Sequence, residues 1–483
     1  MSMSDNLKQK TISGVSWSFV DQILTRGVNF VVGIILARLL SPTDYGLVGM
    51  LGVFIAISQL FIDGGLTSAL IRTKNPSEKD FSTVYIINLT LSVLFYTILF
   101  FCAPLVANFY GQPILKPLMR VIALLLVIGS LSSVQSTLLT IRIDFRTKTY
   151  ISVITVIVSG AVGIVCAYKG MGVWALVAHS LASTIMACTL TLVFVHWFPK
   201  LVFSKDSFKR LFSYSSKLLA ASCISVIYDN VYPLVIGKRF TAADVGQYSR
   251  AGQFPGVAND TIVGTLNRVA FPILSQVQDN DERLLRVYDK YIQLTCFAVF
   301  PILMGLCGCA KPLVLFLLTD KWLACVPLMQ ILCFSKLLNG VTIINLNLLY
   351  VKGRSDLVLR LELIKKTIAF AILFISMLFD LKAMCYGLVI YSVITTYLNT
   401  YYTDKILGYS FFQQIKSILP YFLISIIILG ETLLMSALIP NSLGSLLVSF
   451  LLGTITYLSL SWLFRLYAFG EAMDLLQSKL RRA

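Results

Sequence analysis

The sequence predicts an all-α polytopic membrane protein with about fourteen transmembrane helices. Of its 483 residues, 57% are hydrophobic and only 13% are charged, whereas roughly 25% of the residues of a soluble protein are charged. The mean hydropathy is +0.81, and apolar runs recur along the whole chain, too evenly spread to form one buried core. A soluble fold is therefore excluded.

The individual spans follow from windows of about 20 apolar residues, the length that crosses a ~30 Å hydrocarbon core. The predicted spans are 17–36, 46–70, 84–106, 118–139, 151–167, 172–197, 211–236, 254–274, 292–318, 323–350, 358–379, 384–402, 418–439 and 443–467. The first, seventh and eighth contain charged residues, and only Lys169-Gly170 separates the fifth from the sixth.

The distribution of lysine and arginine tests this count independently, because cytoplasmic loops carry the excess of basic residues. With the N-terminus inside, the segments predicted to be cytoplasmic hold 26 of the 40 basic residues and the outward loops hold 9. The alternation holds in every loop, which predicts that both termini are cytoplasmic. The net charge of +17 therefore reports membrane topology, and we expect no nucleic-acid partner.

A short segment recurs 200 residues apart. After the first predicted helix the chain reads Arg38-Leu-Leu-Ser41-Pro-Thr-Asp44-Tyr-Gly46, and after the seventh it reads Lys238-Arg-Phe-Thr241-Ala-Ala-Asp244-Val-Gly246. Hydroxyl and Asp residues also favour turns and helix caps in general. Because the two copies are an even number of helices apart, they are parallel in the membrane. The repeat predicts an N-terminal lobe at 1–200, a C-terminal lobe at 201–405, and two accessory helices with a cytoplasmic tail at 406–483.

Two motifs carry a family resemblance. The first helix ends in Gly33-Ile-Ile-Leu-Ala-Arg38-Leu-Leu-Ser41-Pro42-Thr43-Asp44-Tyr45-Gly46, and the second contains Asp63-Gly64-Gly65-Leu66. With these motifs the chain resembles the Wzx-like polysaccharide flippases, of the superfamily that also holds the lipid II flippases and the MATE multidrug exporters. The resemblance covers essentially the whole chain, since the helix count, the inside termini and the six-plus-six-plus-two repeat all fit that fold.

The resemblance implies a carrier that flips an undecaprenyl-pyrophosphate-linked oligosaccharide from the cytoplasmic to the outer leaflet of the bacterial plasma (inner) membrane. Its product would feed lipopolysaccharide (O-antigen), capsule or exopolysaccharide assembly. The implied partners are the lipid-linked glycan, the lipid bilayer, a polysaccharide polymerase and a chain-length regulator. We expect a monomer with no cofactor and no metal. The alternative is a MATE-like antiporter that couples a small molecule to an ion.

A polar stripe runs along the first predicted helix. It consists of Ser18, Gln22, Arg26, Asn29 and Gly33, flanked by Asp21 and Thr25. Residues at this spacing share one helix face, and such a face is costly in lipid, which predicts that it lines a water-filled cavity. The alternative is an internal pair between Asp21 and Arg26, although five positions is a poor spacing for one.

Four further basic residues are candidates for binding pyrophosphate. They are Lys217 in the seventh helix, Arg250 and Arg268 in the eighth, and Lys336 in the tenth. Arg250 and Arg268 are about five turns apart and share one face. The planar guanidinium suits phosphate oxygens because it bonds them in a bidentate way. Snorkelling to the nearer membrane interface is the alternative for Lys217, Arg250 and Arg268.

Four acidic residues are candidates for coupling transport to a proton or Na⁺, because an intramembrane carboxylate is such a site by default. They are Asp21, Asp63, Asp260 and Glu431. Each is alternatively a counter-ion for the cations above. Asp63 adjoins Gly64-Gly65, so a helix break or cap is an equal alternative there.

Catalytic motifs are missing from the sequence. It contains no Gly-x-x-x-x-Gly-Lys-Ser/Thr loop, no Gly-x-Ser-x-Gly elbow and no His-Glu-x-x-His pair, and every predicted loop is short. We therefore expect a non-enzymatic carrier that works by alternating access. A glycosyltransferase or polysaccharide polymerase is the enzymatic alternative. A scaffold without a transport role is disfavoured because buried charges are costly to retain without use.

Overall fold

The computed structural model describes residues 3–200 and 202–480, and every regular element in these ranges is helical. For residues 3–16, 18, 19, 23, 217, 221, 472 and 475–480 only the backbone is described. The α-helices are α1 Met3–Leu39, α2 Pro42–Asp63, α3 Leu66–Arg72, α4 Glu78–Tyr110, α5 Leu115–Ile122, α6 Leu124–Ser130, α7 Ser133–Ile141, α8 Phe145–Tyr168, α9 Val173–Phe194, α10 Lys205–Arg239, α11 Ala242–Gln276, α12 Asp281–Gly308, α13 Ala310–Leu317, α14 Cys325–Leu337, α15 Asn339–Val351, α16 Ser355–Ser376, α17 Leu381–Leu407, α18 Phe411–Leu438, α19 Ser442–Leu463 and α20 Tyr467–Leu480. A 3-10 helix covers Asp320–Trp322.

Within the described ranges, eleven helices are long and apolar enough to cross a membrane. A twelfth span forms if Leu115–Ser130 and Ser133–Ile141, which meet at a 42° bend, are counted as one. The prediction of a multi-pass, all-α membrane protein is therefore confirmed. The predicted spans 254–274 and 358–379 also fall on helices, α11 and α16, but charged residues lower the hydropathy of both. The count of fourteen stays a prediction.

The chain forms two compact units, Met1–Gly246 and Gln247–Ala483, called unit 1 and unit 2 below. Unit 1 contains α1 to α10 and the first turn of α11, and its helix α10 packs against α2, α3 and α4. The predicted lobe boundary at residue 200 stays a prediction.

Helix α12 organises the interior of unit 2. It begins at the N-cap Asn280, whose side chain accepts a hydrogen bond from the Arg283 amide, and Asp281 and Glu282 occupy its first turn, where the helix dipole favours negative charge. Its buried face packs against α14, α15 and α18. Polar side chains on this buried face therefore contact protein rather than lipid.

Candidate functional site

A polar cavity of about 680 Å³ lies among α2, α3 and α10 in unit 1. Its lining residues are Ala56, Gln59, Leu60, Asp63, Gly65, Thr67, Ser68, Leu218, Leu219, Ser222, Val226, Asp229 and Asn230. Hydroxyl, amide and carboxylate groups make up much of this lining. The volume falls within the ~300–1,000 Å³ common for small-molecule sites, and we call this space the polar cavity.

Two glycines create the wall of the polar cavity. Helix α2 ends at Asp63 because Gly64 and Gly65 adopt left-handed backbone conformations, with φ of 47° and 74°, which side-chain-bearing residues rarely adopt. A Cβ on Gly65 would lie 3.2 Å from the Ser215 carbonyl oxygen of α10. The break therefore starts the short helix α3 in close contact with α10.

A second cavity, of about 380 Å³, lies beside the first and shares Asp63 and Thr67 with it. It is lined by Asp63, Thr67, Ile71, Gly129, Ser132, Ser133, Ser136, Thr137 and Thr140. We call it the hydroxyl cavity, because six of these nine residues carry a hydroxyl group. Ser133, Thr137 and Thr140 donate their hydroxyl protons to carbonyl oxygens of the preceding turn, so this wall presents mainly hydroxyl oxygens that accept hydrogen bonds.

Asp63 is the predicted site residue that the structure places best. It is half-buried at the end of α2 and lines both cavities. The sequence left open whether Asp63 is an ion-coupling site or marks a helix break; Asp63 does end α2, and its role in coupling stays a prediction.

The predicted residues of α1 occupy a less enclosed position. Arg26 and Asn29 are exposed, and Asp21 and Gln22 are half-buried. Asp21 accepts a hydrogen bond of 3.1 Å from the Thr25 hydroxyl, one turn further along the same helix. Neither Arg26 nor Asn29 lines the polar cavity or the hydroxyl cavity.

The remaining predicted cations are dispersed. The side chain of Lys217 lies outside the described residues. In unit 2, Arg250 is buried, donates to the Gln253 side-chain oxygen at 2.5 Å and has its guanidinium 5.7 Å from the Trp322 ring centroid. Arg268 is exposed on α11, and Lys336 is half-buried in the last turn of α14.

The two remaining acidic candidates are both in unit 2. Asp260 is exposed and accepts a hydrogen bond from the neighbouring Asn259 amide at 3.0 Å. Glu431 of α18 accepts one from the Thr456 hydroxyl of α19, also at 3.0 Å. Its second oxygen, Oε2, is buried without a hydrogen-bond partner among the described residues. Glu431 therefore joins two helices.

The repeated segments form the same local structure. The Ser41 hydroxyl accepts from the Asp44 amide at 3.2 Å, and the Asp44 carboxylate accepts from the Ser41 amide at 2.9 Å. Thr241 and Asp244 repeat this reciprocal pair at 3.2 Å and 3.0 Å. Both pairs are capping boxes that satisfy amides otherwise unbonded at a helix start.

The two repeated glycines pack against each other's segments. A Cβ on Gly46 would overlap the carbonyl oxygen of Ala242, and one on Gly246 would overlap that of Pro42. The contact is reciprocal, because Pro42 and Ala242 occupy equivalent positions in the two motifs. We call it the glycine seam. The basic residues of the motifs are exposed, and Lys238 donates to the Phe109 carbonyl at 2.6 Å, whereas Arg38 ends α1.

A buried polar network in unit 2 was not predicted as a unit. The fully buried Asn345 of α15 accepts from the Tyr288 hydroxyl at 2.7 Å and from the Thr403 hydroxyl at 2.6 Å. It also donates to the Gln414 side-chain oxygen at 3.1 Å. Four helices, α12, α15, α17 and α18, therefore meet at one amide. We call this the Asn345 network.

The hydroxyl cavity was also missed, although the sequence carries a signal for it. Ser132, Ser133, Ser136, Thr137 and Thr140 recur at helical spacing inside an apolar segment, and such a stripe indicates a face turned away from lipid. Among the described residues, no group of three or more His, Cys, Asp or Glu side chains is placed to hold a metal ion. The described cysteines form no disulfide.

Many apolar helices and polar cavities among them define a membrane transporter. Residues 35–327 match the family model described as polysaccharide biosynthesis protein, which is more than half of the chain. The chain belongs to this family, as the resemblance in its motifs indicated.

Two relatives show the extent of the similarity. The succinoglycan biosynthesis transport protein ExoT of Rhizobium meliloti (strain 1021) is 27% identical over 69% of this chain and 68% of its own length. The lipopolysaccharide biosynthesis protein WzxC of Escherichia coli (strain K12) is 25% identical over 86% of both chains. The protein is therefore a multi-pass protein of the bacterial plasma (inner) membrane.

Solved structures share the fold. The lipid II flippase MurJ in an inward closed conformation matches with a TM-score of 0.74 at 16% identity, over 94% of this chain and 98% of MurJ. An inward-facing multidrug resistance MATE family transporter matches with a TM-score of 0.60 at 14% identity, over 80% of this chain and 94% of its own. The fold is therefore nearer to the flippase than to the multidrug transporter.

Proposed function

We propose that this protein flips an undecaprenyl-pyrophosphate-linked oligosaccharide from the cytoplasmic to the outer leaflet of the plasma membrane. The flipped glycan enters lipopolysaccharide, capsule or exopolysaccharide assembly. The polar cavity in unit 1 is the observation that carries this proposal. Sugars are recognised through their hydroxyl groups, and the two cavities present side-chain amide and carboxylate groups at Gln59, Asp63 and Asn230 and hydroxyl groups at Thr67 and Ser136. The chain belongs to a polysaccharide biosynthesis family, and a glycan is a substrate that such polar groups can bind.

The mechanism follows from the chemistry of the substrate. The prenyl tail stays in lipid, while the pyrophosphate and the sugars need a polar route across the hydrocarbon core. Alternating access of two lobes, 1–200 and 201–405, supplies that route, with helices at 406–483 as accessories. The full architecture has fourteen spans and cytoplasmic termini. No catalytic step is involved, and the carrier acts as a monomer that hands its product to a polysaccharide polymerase and its chain-length regulator.

The predicted cations and carboxylates keep their proposed roles. Arg26, with Gln22 and Asn29 on the same helix, contacts the pyrophosphate during transport, and Lys217, Arg250, Arg268 and Lys336 are the further cations. Asp63 is the first candidate for coupling to an ion, because it lines both cavities, ahead of Asp21, Asp260 and Glu431.

The alternative function is an ion-coupled antiporter of small molecules. One observation favours it: among the side chains that the structure describes, the charged ones that line the polar cavity, Asp63 and Asp229, are both acidic. An acidic cavity suits a cation, whereas a pyrophosphate needs basic groups.

Reconstitution separates the two functions. Purified protein in proteoliposomes is given a fluorescent undecaprenyl-pyrophosphate oligosaccharide, and flipping is read by enzymatic access to the outer leaflet. A parallel set is loaded with a cationic dye. We expect flipping without dye efflux, and slower flipping in Arg26→Ala and Arg268→Ala. Dye efflux without flipping would establish the antiporter instead.

A further inference from the structure

A third and smaller pocket lies at the end of α3 in unit 1. It has a volume of about 190 Å³ and is lined by Ala69, Arg72, Thr73, Arg210, Leu211 and Tyr214. At ~30 Å³ for each water molecule, it has room for about six waters. That space admits a phosphate or diphosphate group. We call it the guanidinium pocket, because two arginines line it.

Each guanidinium is held by a separate contact. The Arg72 guanidinium carbon lies 4.5 Å from the centroid of the Tyr214 ring, within the range of a cation–π contact. Arg210 donates to the Asp80 carboxylate at 2.5 Å. Both side chains are therefore oriented in advance, which lowers the entropy cost of binding a ligand.

Asp80 is itself fixed and buried. It is the third residue of α4, and its other oxygen, Oδ2, accepts from the Ser77 amide at 2.9 Å and from the Ser77 hydroxyl at 3.0 Å. The Asp80 side chain is only 2% exposed, whereas that of Arg210 is 61% exposed. One terminal nitrogen of Arg210 bonds to Asp80, and a guanidinium has five N–H donors. The remaining donors of Arg210 are oriented by Asp80 and open to a ligand.

A purely structural role for the two arginines does not explain the empty volume between them or the presence of a second cation. The Arg210–Asp80 bond joins α10 to α4, and Arg72 on Tyr214 joins α3 to α10. A tether between helices needs no empty volume and no second cation. Here two guanidiniums border one cavity, and its lining contains no carboxylate among the described residues. Asp80, which bonds to Arg210, is already bonded on both oxygens, so the charge of the lining is positive.

We propose that the guanidinium pocket binds the diphosphate of the lipid-linked substrate, at the cytoplasmic end of the route through unit 1. This inference rests on the proposed function. Arg72 follows the second predicted span (46–70) and Arg210 follows the sixth (172–197), and with the N-terminus inside both of these loops are predicted to be cytoplasmic, where the substrate is loaded. Arginine bonds phosphate oxygens in a bidentate way, and two of them match two linked phosphates. Helix α3 also borders the polar cavity and the hydroxyl cavity, so the sugars attached to a diphosphate held here lie beside both.

The test uses the full-length protein in phosphatidylcholine nanodiscs, with inorganic pyrophosphate as the probe and calorimetry as the readout. We expect Arg72→Gln and Arg210→Gln each to weaken pyrophosphate binding about tenfold or more, because each loses a charge-assisted hydrogen bond. Lys209→Gln is the matched control. It removes the same charge from the exposed neighbour of Arg210, a residue that does not line the pocket, and should change binding less than about twofold.

Charge-conserving variants keep the test decisive if the glutamine variants fail to fold. Arg72→Lys and Arg210→Lys retain the cation but lack the planar fork, so we expect binding to fall about threefold or more. Unchanged binding in both lysine variants, or in both glutamine variants, overturns the inference. A second arm adds phosphatidylglycerol to the nanodiscs. Loss of pyrophosphate binding there, at a salt concentration that screens the charge of the bilayer, would assign the pocket to the headgroups of bulk lipid and also overturn the inference.

Flipping measured in parallel separates this inference from the proposed function. Slower flipping in Arg72→Gln together with weaker pyrophosphate binding supports both. Wild-type rates of flipping and wild-type binding in that variant overturn the inference alone. If the wild-type protein flips no lipid-linked glycan, the proposed function fails even where pyrophosphate binding depends on Arg72.

Discussion

In unit 2 the side chains of Tyr288 and Asp289 on α12 bond to neighbouring helices, whereas in unit 1 several polar side chains of α2, α3 and α10 line cavities. Tyr288 of α12 donates to Asn345, and Asp289 accepts from the hydroxyls of Tyr409 and Ser417 at 2.6 Å and 2.7 Å. By contrast, Asp63 and Asn230 border open space in unit 1. Both kinds of polar residue look alike in a hydropathy profile.

The difference shows what a buried polar group is for. One whose hydrogen bonds are filled by protein stabilises the packing of helices. One that faces a cavity retains donors and acceptors for a ligand. Substitutions in unit 2 should therefore change stability, and substitutions around the cavities of unit 1 should change transport.

The largest loss of stability is expected when the Asn345 network is disrupted. Asn345→Leu keeps the approximate shape but removes interhelical bonds worth ~0.6 kcal/mol each on average. It also removes the oxygen that accepts from the buried Tyr288 and Thr403 hydroxyls, and an unfilled buried hydroxyl costs ~1–3 kcal/mol. We expect a loss of about 2–4 kcal/mol in the free energy of unfolding, measured in mixed micelles. Ser335→Ala is the control, since the Ser335 hydroxyl donates to the Leu332 carbonyl of its own helix. Equal stability of the two variants would contradict a stabilising network.

The next largest loss of stability is expected from a substitution in the glycine seam, which lies in unit 1. Gly46→Ala places a methyl group against the Ala242 carbonyl oxygen, and overpacking of this kind costs ~1–3 kcal/mol. Gly52→Ala, in the same helix α2, is the matched control, because its Cβ would meet no atom within 4 Å. There alanine should stabilise the helix by up to about 1 kcal/mol. Thermal unfolding of both purified variants tests whether opposite signs are found.

Transport rates of variants at two carboxylates, Asp63 in unit 1 and Glu431 in unit 2, test the difference between the two units. Asp63→Asn removes the charge shared by both cavities, and charge-assisted hydrogen bonds are about twice as strong as neutral ones. We expect flipping to slow about tenfold, equivalent to ~1.4 kcal/mol. Glu431→Gln keeps an oxygen for the Thr456 hydroxyl and should flip within about twofold of the wild-type rate. The initial rate in proteoliposomes is the measurement, and an equal loss in both variants would remove the distinction.

The smallest effect concerns a peripheral ion pair in unit 2. Lys290 of α12 lies 2.6 Å from Glu471 of α20, and hydrogen bonds from Lys290 and Tyr467 lower the pKa of the Glu471 carboxyl. A lowered pKa in the folded state stabilises the protein above the ordinary value near 4.5, and this contribution disappears as the pH falls through the lower value.

Because both side chains are partly exposed, the contribution of this pair is below about 1 kcal/mol. We expect the unfolding temperatures of wild-type and Glu471→Gln proteins to differ slightly at pH 7 and to converge toward pH 3. A difference that widens on acidification would show that Glu471 is not stabilised as a carboxylate.

Hydropathy predicted the helical architecture well, because crossing a bilayer requires long apolar helices whatever their neighbours are. It predicted less where polar residues interrupt the pattern. The window at 323–350 corresponds to one candidate span, Cys325–Val351, whereas that at 118–139 contains α5 to α7 and a 42° bend between Leu115–Ser130 and Ser133–Ile141. Local breaks depend on backbone conformations that an average over 20 residues does not detect.

The candidate site was predictable only in part. Asp63 stood out because it adjoins Gly64 and Gly65 in an apolar segment. Arg72 and Arg210 did not, because basic residues at the cytoplasmic end of a helix are expected from topology alone. Their convergence depends on α3 lying against α10, which no linear pattern encodes. Polar residues that bond to each other, such as Asn345 and Gln414, likewise resemble cavity-lining residues until their partners are known.

The glycine seam also constrains how this chain can evolve. A side chain at position 46 or 246 meets a carbonyl oxygen of the main chain, and every amino acid has that oxygen. No second substitution at residue 242 or 42 can remove the obstacle, so neither glycine has a compensating mutation available at its partner. The caps beside them differ in this respect, since serine and threonine serve equally well. Selection can therefore exchange residues 41 and 241 freely while it holds residues 46 and 246 fixed together.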